Sequence, residues 1–211
     1  MPLTHLAAMG ALFGLLAPVV AAAEPAGNQE QEKRLFDDFD GKLALDWKQV
    51  RPDTAHQSLS KHPGKLTITT QYGSIHTADR PVAAKNLFLV DIPELDGAGF
   101  VVTTCVEAFQ PRAPWNQAGL VLYGDDDNYL KFVCEFSSAG LPILNAIAET
   151  EGKPVANYLS ASVQTDRLWL KVVKRGDLYE CASSSDGTTF TAYADIPWSG
   201  AAKQAGVLAK N

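Results

Sequence analysis

Excess positive charge and catalytic signatures are both missing from this sequence. The formal net charge is -6, which argues against nucleic acid or an anionic membrane surface as a partner, because both require a basic patch. Neither a Gly-x-Ser-x-Gly elbow nor a glycine-rich phosphate loop occurs along the chain. The sequence therefore gives no sign of a serine hydrolase or of a phosphate-binding loop.

Cysteine is also scarce, with only Cys105, Cys134 and Cys181. An odd number leaves at least one thiol unpaired or in an intermolecular bridge. We expect the strand of Cys105 to pair with Gly119–Tyr123, so that one strand separates Cys105 from Cys134. Strands lie about 4.8 Å apart, which puts these two backbones about 10 Å apart, too far for a disulfide. Buried free thiols are the predicted state.

The first 34 residues differ in composition from the rest. Leu6–Ala23 is almost wholly apolar and ends in three alanines, which predicts a secretory signal peptide over residues 1–23. The alternative is an uncleaved membrane anchor, for which the run is short and contains Pro18. The polar composition of residues 24–34 predicts a flexible leader to the domain. Residues 35–211 then form a single domain of a secreted or periplasmic protein.

The most informative stretch is Gln117–Phe136, QAGLVLYGDDDNYLKFVCEF. Its two apolar runs flank Gly124–Asn128 and predict a β-hairpin with a five-residue turn. Tyr123 opposite Tyr129 sorts the side chains by the two-residue period of a strand. One face is then apolar and faces the core, with Leu120, Leu122 and Phe132 among its residues. The other face is mixed and carries Gln117, Val121, Tyr123, Tyr129, Lys131, Val133 and Glu135.

Further short runs have high strand propensity and are separated by turn signals. No stretch shows a helical stripe. Many short strands and one half-polar sheet face predict two antiparallel sheets packed face to face. The predicted strands are Leu35–Asp40, Trp47–Val50, Lys65–Thr70, Asn86–Val90, Phe100–Phe109, Leu141–Ala148, Leu168–Lys174, Leu178–Ala182 and Thr189–Ile196.

QAGLVLYGDDDNYLKF resembles the central hairpin of the concanavalin-A-like domain found at the C-terminus of bacterial β-xylosidases and as stand-alone secreted modules. Three further segments resemble that domain in the same order: LFDDFDG…DWKQVRPD (35–53), PGKLTITT (63–70) and SSDGTTF (184–190). The resemblance covers most of the chain after residue 34. It implies an all-β jelly-roll sandwich whose concave sheet forms a groove for a poly- or oligosaccharide. It also implies one more strand after the segment matching Gln204–Asn211, where this sequence ends.

The mixed face of the hairpin supplies four candidate carbohydrate-binding residues. This face is either a solvated back or the floor of a polar binding groove, and the hairpin alone does not decide between the two. Hydroxyl-rich ligands require several hydrogen-bonding side chains within one site. The candidates are Gln117, Tyr123, Lys131 and Glu135.

Two candidates lie outside the hairpin. Trp115, in the preceding loop, either stacks on a sugar ring or folds over the edge of the sandwich. Arg51 matches the family's Trp…Arg-Pro opening strand and is either a groove cation or a surface arginine at a strand end.

Catalysis is not expected from this sequence, and no catalytic residue is assigned. Glycosidases need two carboxylates about 5 to 9 Å apart, whereas Glu107 and Glu135 stand alone on their predicted strands. Together with the ligand class that the resemblance implies, this predicts a non-catalytic carbohydrate-binding module. One alternative is a glycoside hydrolase or lyase that acts on a polysaccharide with groups from separate strands. The other is an envelope module that binds a protein through an apolar patch on the convex sheet.

No metal site or other cofactor is predicted, although two acidic segments are candidates for calcium. Asp125–Asn128 offers oxygen ligands of the kind calcium prefers. The same residues are those that a tight hairpin turn selects, and we expect turn chemistry there. Asp37, Asp38 and Asp40 form a second, looser candidate.

Overall fold

Antiparallel strands make up nearly all of the regular structure. The computed structural model describes residues 35–75, 83–93, 99–163, 166–200 and 202–211. The only helical element in these ranges is a 3₁₀ turn at Thr54–His56, and within them no helix is long and apolar enough to cross a membrane. The strands are β1 (Lys48–Val50), β2 (Gln57–Ser58), β3 (Thr67–Ile68), β4 (Leu87–Asp91), β5 (Phe100–Glu107), β6 (Gln117–Asp125), β7 (Asn128–Phe136), β8 (Pro142–Thr150), β9 (Lys153–Ser162), β10 (Arg167–Arg175), β11 (Leu178–Ser184), β12 (Thr191–Pro197) and β13 (Gln204–Lys210).

The strands form two sheets and a small ribbon. The larger sheet has seven strands in the order β1-β4-β13-β6-β7-β8-β9, and the smaller has four in the order β12-β11-β10-β5. β2 and β3 make the separate ribbon. The predicted sandwich of two antiparallel sheets is confirmed. The predicted signal peptide and leader, residues 1–34, lie outside the described residues.

The main core fills the space between the two sheets. Because side chains alternate along a strand, each sheet contributes every second residue to this layer. Leu120, Leu122 and Phe132 of the larger sheet are fully buried there, as the hairpin pattern predicts. The smaller sheet contributes Leu170 and Val172. Phe132 also stacks on Tyr193, with ring centroids 5.4 Å apart.

The predicted register of the central hairpin is correct. Tyr123 pairs with Tyr129, and Gln117 pairs with Glu135. The turn is shorter than predicted, because Asp125 also pairs with Asn128 and Gly124 forms a bulge. The Asp125 side chain explains this, since its Oδ1 accepts hydrogen bonds from Asp127 N at 2.8 Å and Asn128 Nδ2 at 2.9 Å. These bonds close a two-residue turn.

The predicted partner of the Cys105 strand is wrong. β5 pairs with β10 in the smaller sheet, and the neighbour of β6 is β13, from the end of the chain. Cys105 and Cys134 therefore lie in different sheets. All three cysteines are free thiols. Burial raises the pKa of Cys134 and of Cys181 to about 12, which keeps both thiols protonated and unreactive.

Other strand predictions also differ from the structure, and β2, β9 and β13 are absent from the predicted strands. Leu35–Asp40 is a loop rather than a strand. Asp37 organises it, since its carboxylate accepts hydrogen bonds from Phe39 N, Ala44 N and Trp47 Nε1 at 2.7 to 2.8 Å. β9 is missing from the predicted set, because its exposed apolar residues do not follow a clean alternation. Two register shifts in its pairing with β8 account for the irregular pattern.

Candidate functional site

The outer face of the larger sheet carries a row of polar side chains. This polar row consists of Gln117 on β6, Lys131 and Glu135 on β7, and Asn145 and Glu149 on β8. All five are at least 95% buried. Burying polar groups is costly unless hydrogen bonds compensate. These side chains therefore need hydrogen-bond partners within the fold, unlike the exposed polar residues of a solvated sheet face.

A second apolar cluster explains part of this burial. Ile75 and Ala84, from two segments joined by a short parallel bridge, pack with Val121 and Tyr129 on the outer face. Ala84 N donates to Ser74 O at 3.1 Å, which holds the two segments together. The mixed face is thus covered at its middle and near the hairpin turn.

At the end of the polar row near the start of β6, Glu135 accepts hydrogen bonds from two neighbouring side chains. Gln117 Nε2 donates to Glu135 Oε2, and Asn145 Nδ2 donates to the same oxygen at 2.9 Å. The opposite ends of the two amides, Gln117 Oε1 and Asn145 Oδ1, are buried and have no hydrogen-bond partner within the described part of the chain. Among the described residues, no group donates a hydrogen bond to either of these two oxygens.

The middle and far end of the row pair differently. Tyr129 Oη donates to Glu149 Oε1 at 2.7 Å across the β7–β8 ladder. Lys131 Nζ lies 5.5 Å from the centroid of the Tyr129 ring, within the range of a cation–π interaction. Lys131 is 1% exposed, so its ammonium group is part of the interior of this face.

Arg51 and Tyr123 belong to a separate network at the hairpin turn. Arg51 makes a bidentate ion pair with Asp126 at 2.8 and 3.0 Å, and its Nε donates to Ala84 O at 2.5 Å. Tyr123 Oη donates to Asp126 Oδ1 at 2.8 Å. Desolvation, followed by this bond to the Asp126 carboxylate, raises the pKa of Tyr123. The network ties the opening segment to the hairpin turn.

The structure does not bring all six predicted residues together. Gln117 and Glu135 touch, and Lys131 follows on the same face. Tyr123 is six residues along β6 from Gln117, which at the rise of a strand is about 20 Å. Arg51 is bound to the Asp126 carboxylate next to that distant end. The binding role of these residues stays a prediction.

Trp115 lies at the opposite end, beside Gln117. Its φ of 66° is in the left-handed region, which is rare for a bulky residue. Trp115 N donates to Phe136 O at 2.6 Å, and Phe136 N donates to Asn116 O at 2.9 Å. These bonds hold the loop against the end of β7. The side chain is 59% exposed, so it is not folded into the sandwich core.

Sequence reasoning missed Asn145 and Glu149. A signal was available in the predicted strand Leu141–Ala148. Its alternate residues Leu144, Ala146 and Ala148 are apolar and small enough for the core. Asn145 must then point to the opposite face, where it joins Glu135.

Both acidic calcium candidates are engaged in other interactions. In the hairpin turn, Asp125 accepts the bonds that close the turn and Asp126 holds Arg51. Desolvation raises the pKa of Asp37, but hydrogen bonds from Trp47 and three backbone amides outweigh it, so that pKa is lowered. The part of the chain that is described contains no group of three His, Cys, Asp or Glu residues able to hold a metal.

The two glutamates considered for catalysis lie on opposite faces of the sandwich. Glu107 follows Val106, which packs against the main core, so Glu107 points away from it. Glu107 binds Lys65 and, at 2.7 Å, Arg167. The hydrogen bond from Lys65 is the main reason why the pKa of Glu107 is lowered. Glu135 projects from the far side of the other sheet. Since sheets pack about 10 Å apart, the two carboxylates are too far apart to act as a glycosidase pair.

Two sheets in this arrangement, with a polar outer face on the larger one, define the concanavalin-A-like class of β-sandwich. The family model for the C-terminal concanavalin A-like domain of β-xylosidases matches residues 36–201. The chain therefore belongs to that family. No curated protein matches the chain.

Solved structures share this fold at low sequence identity. The GH43 protein BlXynB from Bacillus licheniformis has a TM-score of 0.69 and 24% identity, over 83% of this chain and 35% of that one. A xylan β-1,4-xylosidase from Bacillus halodurans C-125 has a TM-score of 0.64 and 18% identity, over 86% and 38%. A functionally unknown protein from Saccharomyces cerevisiae has a TM-score of 0.57 and 19% identity, over 77% and 84%. The chain thus spans little more than a third of the two bacterial proteins.

Proposed function

We propose that this domain binds a poly- or oligosaccharide at the end of the outer face of the larger sheet that lies beside Trp115, and does not hydrolyse it. The observation that carries the proposal is the polar row with two buried acceptor oxygens that have no donor among the described residues. A sugar hydroxyl is a donor of the required kind, and leaving a buried acceptor unsatisfied costs about 1 to 3 kcal/mol. The similarity to domains of carbohydrate-active GH43 proteins supports the same class of ligand.

The separation of the acidic side chains supports binding without catalysis. Glu135 and Glu149 share one face, but Glu149, on β8, lies opposite Tyr129. Tyr129 is six residues along β7 from Glu135, which is about 20 Å at the rise of a strand. Retaining and inverting glycosidases both require much shorter separations, of about 5 to 9.5 Å. A hydrolase or lyase that uses other groups remains the alternative that a turnover assay tests.

The exposed indole of Trp115 supplies a second element of a sugar site, next to the polar row. We expect Trp115→Ala to lower the affinity for the preferred glycan about tenfold or more, because an aromatic ring packs on the apolar face of a pyranose. The measurement is a glycan array with and without a chelator, followed by titration of the best ligand. The melting temperature should change little.

Tyr158→Ala is the matched control, because Tyr158 is also an exposed aromatic residue but lies on the edge strand β9. It should leave affinity unchanged. Release of reducing sugar from xylan or arabinan by the purified protein would instead make this domain an enzyme. Loss of array signal with the chelator would show that calcium is required.

We also propose that the protein is exported to the periplasm or the medium. The support is the apolar Leu6–Ala23 run that ends in three alanines. N-terminal sequencing of the exported product should begin near Glu24. An intact N-terminus recovered from the membrane fraction would contradict export by cleavage.

A protein-binding role has weaker support. Among the described residues of the smaller sheet, Val101 is the only large apolar side chain that is exposed. Three exposed apolar residues, Val155, Tyr158 and Leu159, lie instead on β9, the edge strand of the larger sheet. A single exposed valine does not make an apolar patch on the smaller sheet.

A further inference from the structure

We propose that Gln117, Glu135 and Asn145 form an acceptor-only subsite that selects neutral sugars through their hydroxyl donors and excludes uronic acids. The inference rests on the proposed carbohydrate binding and names the class of sugar. It also adds Asn145, which lies on a different strand from the predicted residues.

Glu135 determines how the two amides are oriented. A carboxylate accepts hydrogen bonds, so the NH₂ ends of Gln117 and Asn145 must face it. Both do, and they converge on Glu135 Oε2. The carbonyl ends are then forced to point away from Glu135. Turning either amide around would place its oxygen against the carboxylate, which is repulsive.

As a result, the free oxygen atoms of these three side chains can only accept further hydrogen bonds. Gln117 Oε1 and Asn145 Oδ1 are buried without partners among the described residues. A ligand that supplies two hydroxyl donors satisfies both oxygens. A uronic acid also has ring hydroxyls, but its carboxylate adds a negative charge beside Glu135, so the cluster discriminates against it.

Besides Lys131, a second cation lies on this face, and a cation would favour acidic sugars. Lys210 on β13 lies directly opposite Gln117 and is 6% exposed. If this cation dominated recognition, acidic sugars would bind better than neutral ones. The preference between the two sugar classes therefore separates an acceptor subsite from a cationic one.

The exposed Trp115, at 59%, marks the end of the face from which a ligand would approach, since Gln117, Glu135 and Asn145 are themselves buried. Hydrogen bonds between the Trp115 loop and Phe136 hold the indole at this end. A sugar that reaches the cluster from this end contacts the indole on its way to the two amide oxygens.

The first experiment is calorimetric titration of the folded, full-length domain with xylotetraose, cellotetraose and tetragalacturonic acid. We expect at least one neutral tetrasaccharide to bind, with at least about tenfold preference over the acidic one. Glu135→Gln should narrow that preference, because a glutamine both accepts and donates and lets the neighbouring amides turn.

The second experiment removes one acceptor. Asn145→Leu should weaken neutral-sugar binding about tenfold, the effect of one hydrogen bond. Asn157→Leu is the matched control, because Asn157 is exposed and pairs with Ile147 on the neighbouring strand. It should have no effect. Melting curves verify that each variant is folded, and the wild-type preference tests the inference even if Asn145→Leu does not fold.

The outcomes distinguish the inference from the function on which it rests. Neutral binding that Asn145→Leu weakens and Asn157→Leu does not would support both. Equal or tighter binding of the acidic sugar would overturn the subsite while leaving carbohydrate binding intact. No binding of any tetrasaccharide at millimolar concentration would overturn the proposed function itself.

Discussion

Replacing Gly206 with alanine should disrupt the centre of the larger sheet. Gly206 lies on β13 between Leu89 of β4 and Val121 of β6. A Cβ atom at this position would overlap the Phe88 carbonyl oxygen on the neighbouring strand. Backbone atoms in a paired strand cannot move without breaking the ladder, so we expect a loss of stability on the order of 4 kcal/mol or more, measured by denaturant unfolding.

Gly41→Ala is the control for this prediction. Gly41 has a φ of 71° but nothing within 4 Å of an added Cβ. Its substitution therefore tests backbone strain without crowding and should cost only about 1 kcal/mol. A Gly206→Ala variant as stable as Gly41→Ala would mean that β4 and β13 are further apart than the structure has them.

Replacing Phe132 with alanine should have the second largest effect. Phe132 is fully buried between the sheets, and its ring stacks on Tyr193 of the smaller sheet. Truncation removes the contacts across this layer and leaves a cavity. We expect a cost of about 3 to 5 kcal/mol in the free energy of unfolding.

Val101→Ala is the matched control, since Val101 is 62% exposed on the outer side of the smaller sheet. It should change stability by less than about 0.5 kcal/mol. Phe132 points away from Lys131, so the folded fraction of Phe132→Ala should keep its glycan affinity. Loss of affinity in that folded fraction would show that the two faces of β7 are coupled.

The central hairpin was largely predictable because its information is local. Period-two alternation and one turn place Tyr123 opposite Tyr129, and that register decides which side chains face the core. Asp125 makes the hydrogen bonds of the turn, but the turn has two residues rather than the predicted five. The bonds accepted by Asp125 make the difference.

Strand neighbours were harder to predict because they depend on distant parts of the chain. β6 pairs with β13, which begins about 80 residues later, and β5 joins the other sheet. Local propensity contains nothing that chooses between such partners. The predicted pairing of the Cys105 strand failed for this reason, although the conclusion that Cys105 and Cys134 are not bridged holds.

The sequence by itself determined that this chain is an all-β sandwich, which hairpin face enters the core, and that Gln117, Lys131 and Glu135 share the other face. Only the tertiary structure decided that this second face is buried, that Asn145 joins Glu135, and that Arg51 binds Asp126 75 residues away. The physical reason is range. Alternation and turn chemistry act between near neighbours, whereas burial and ion pairing depend on which distant segments the packed sheets bring together.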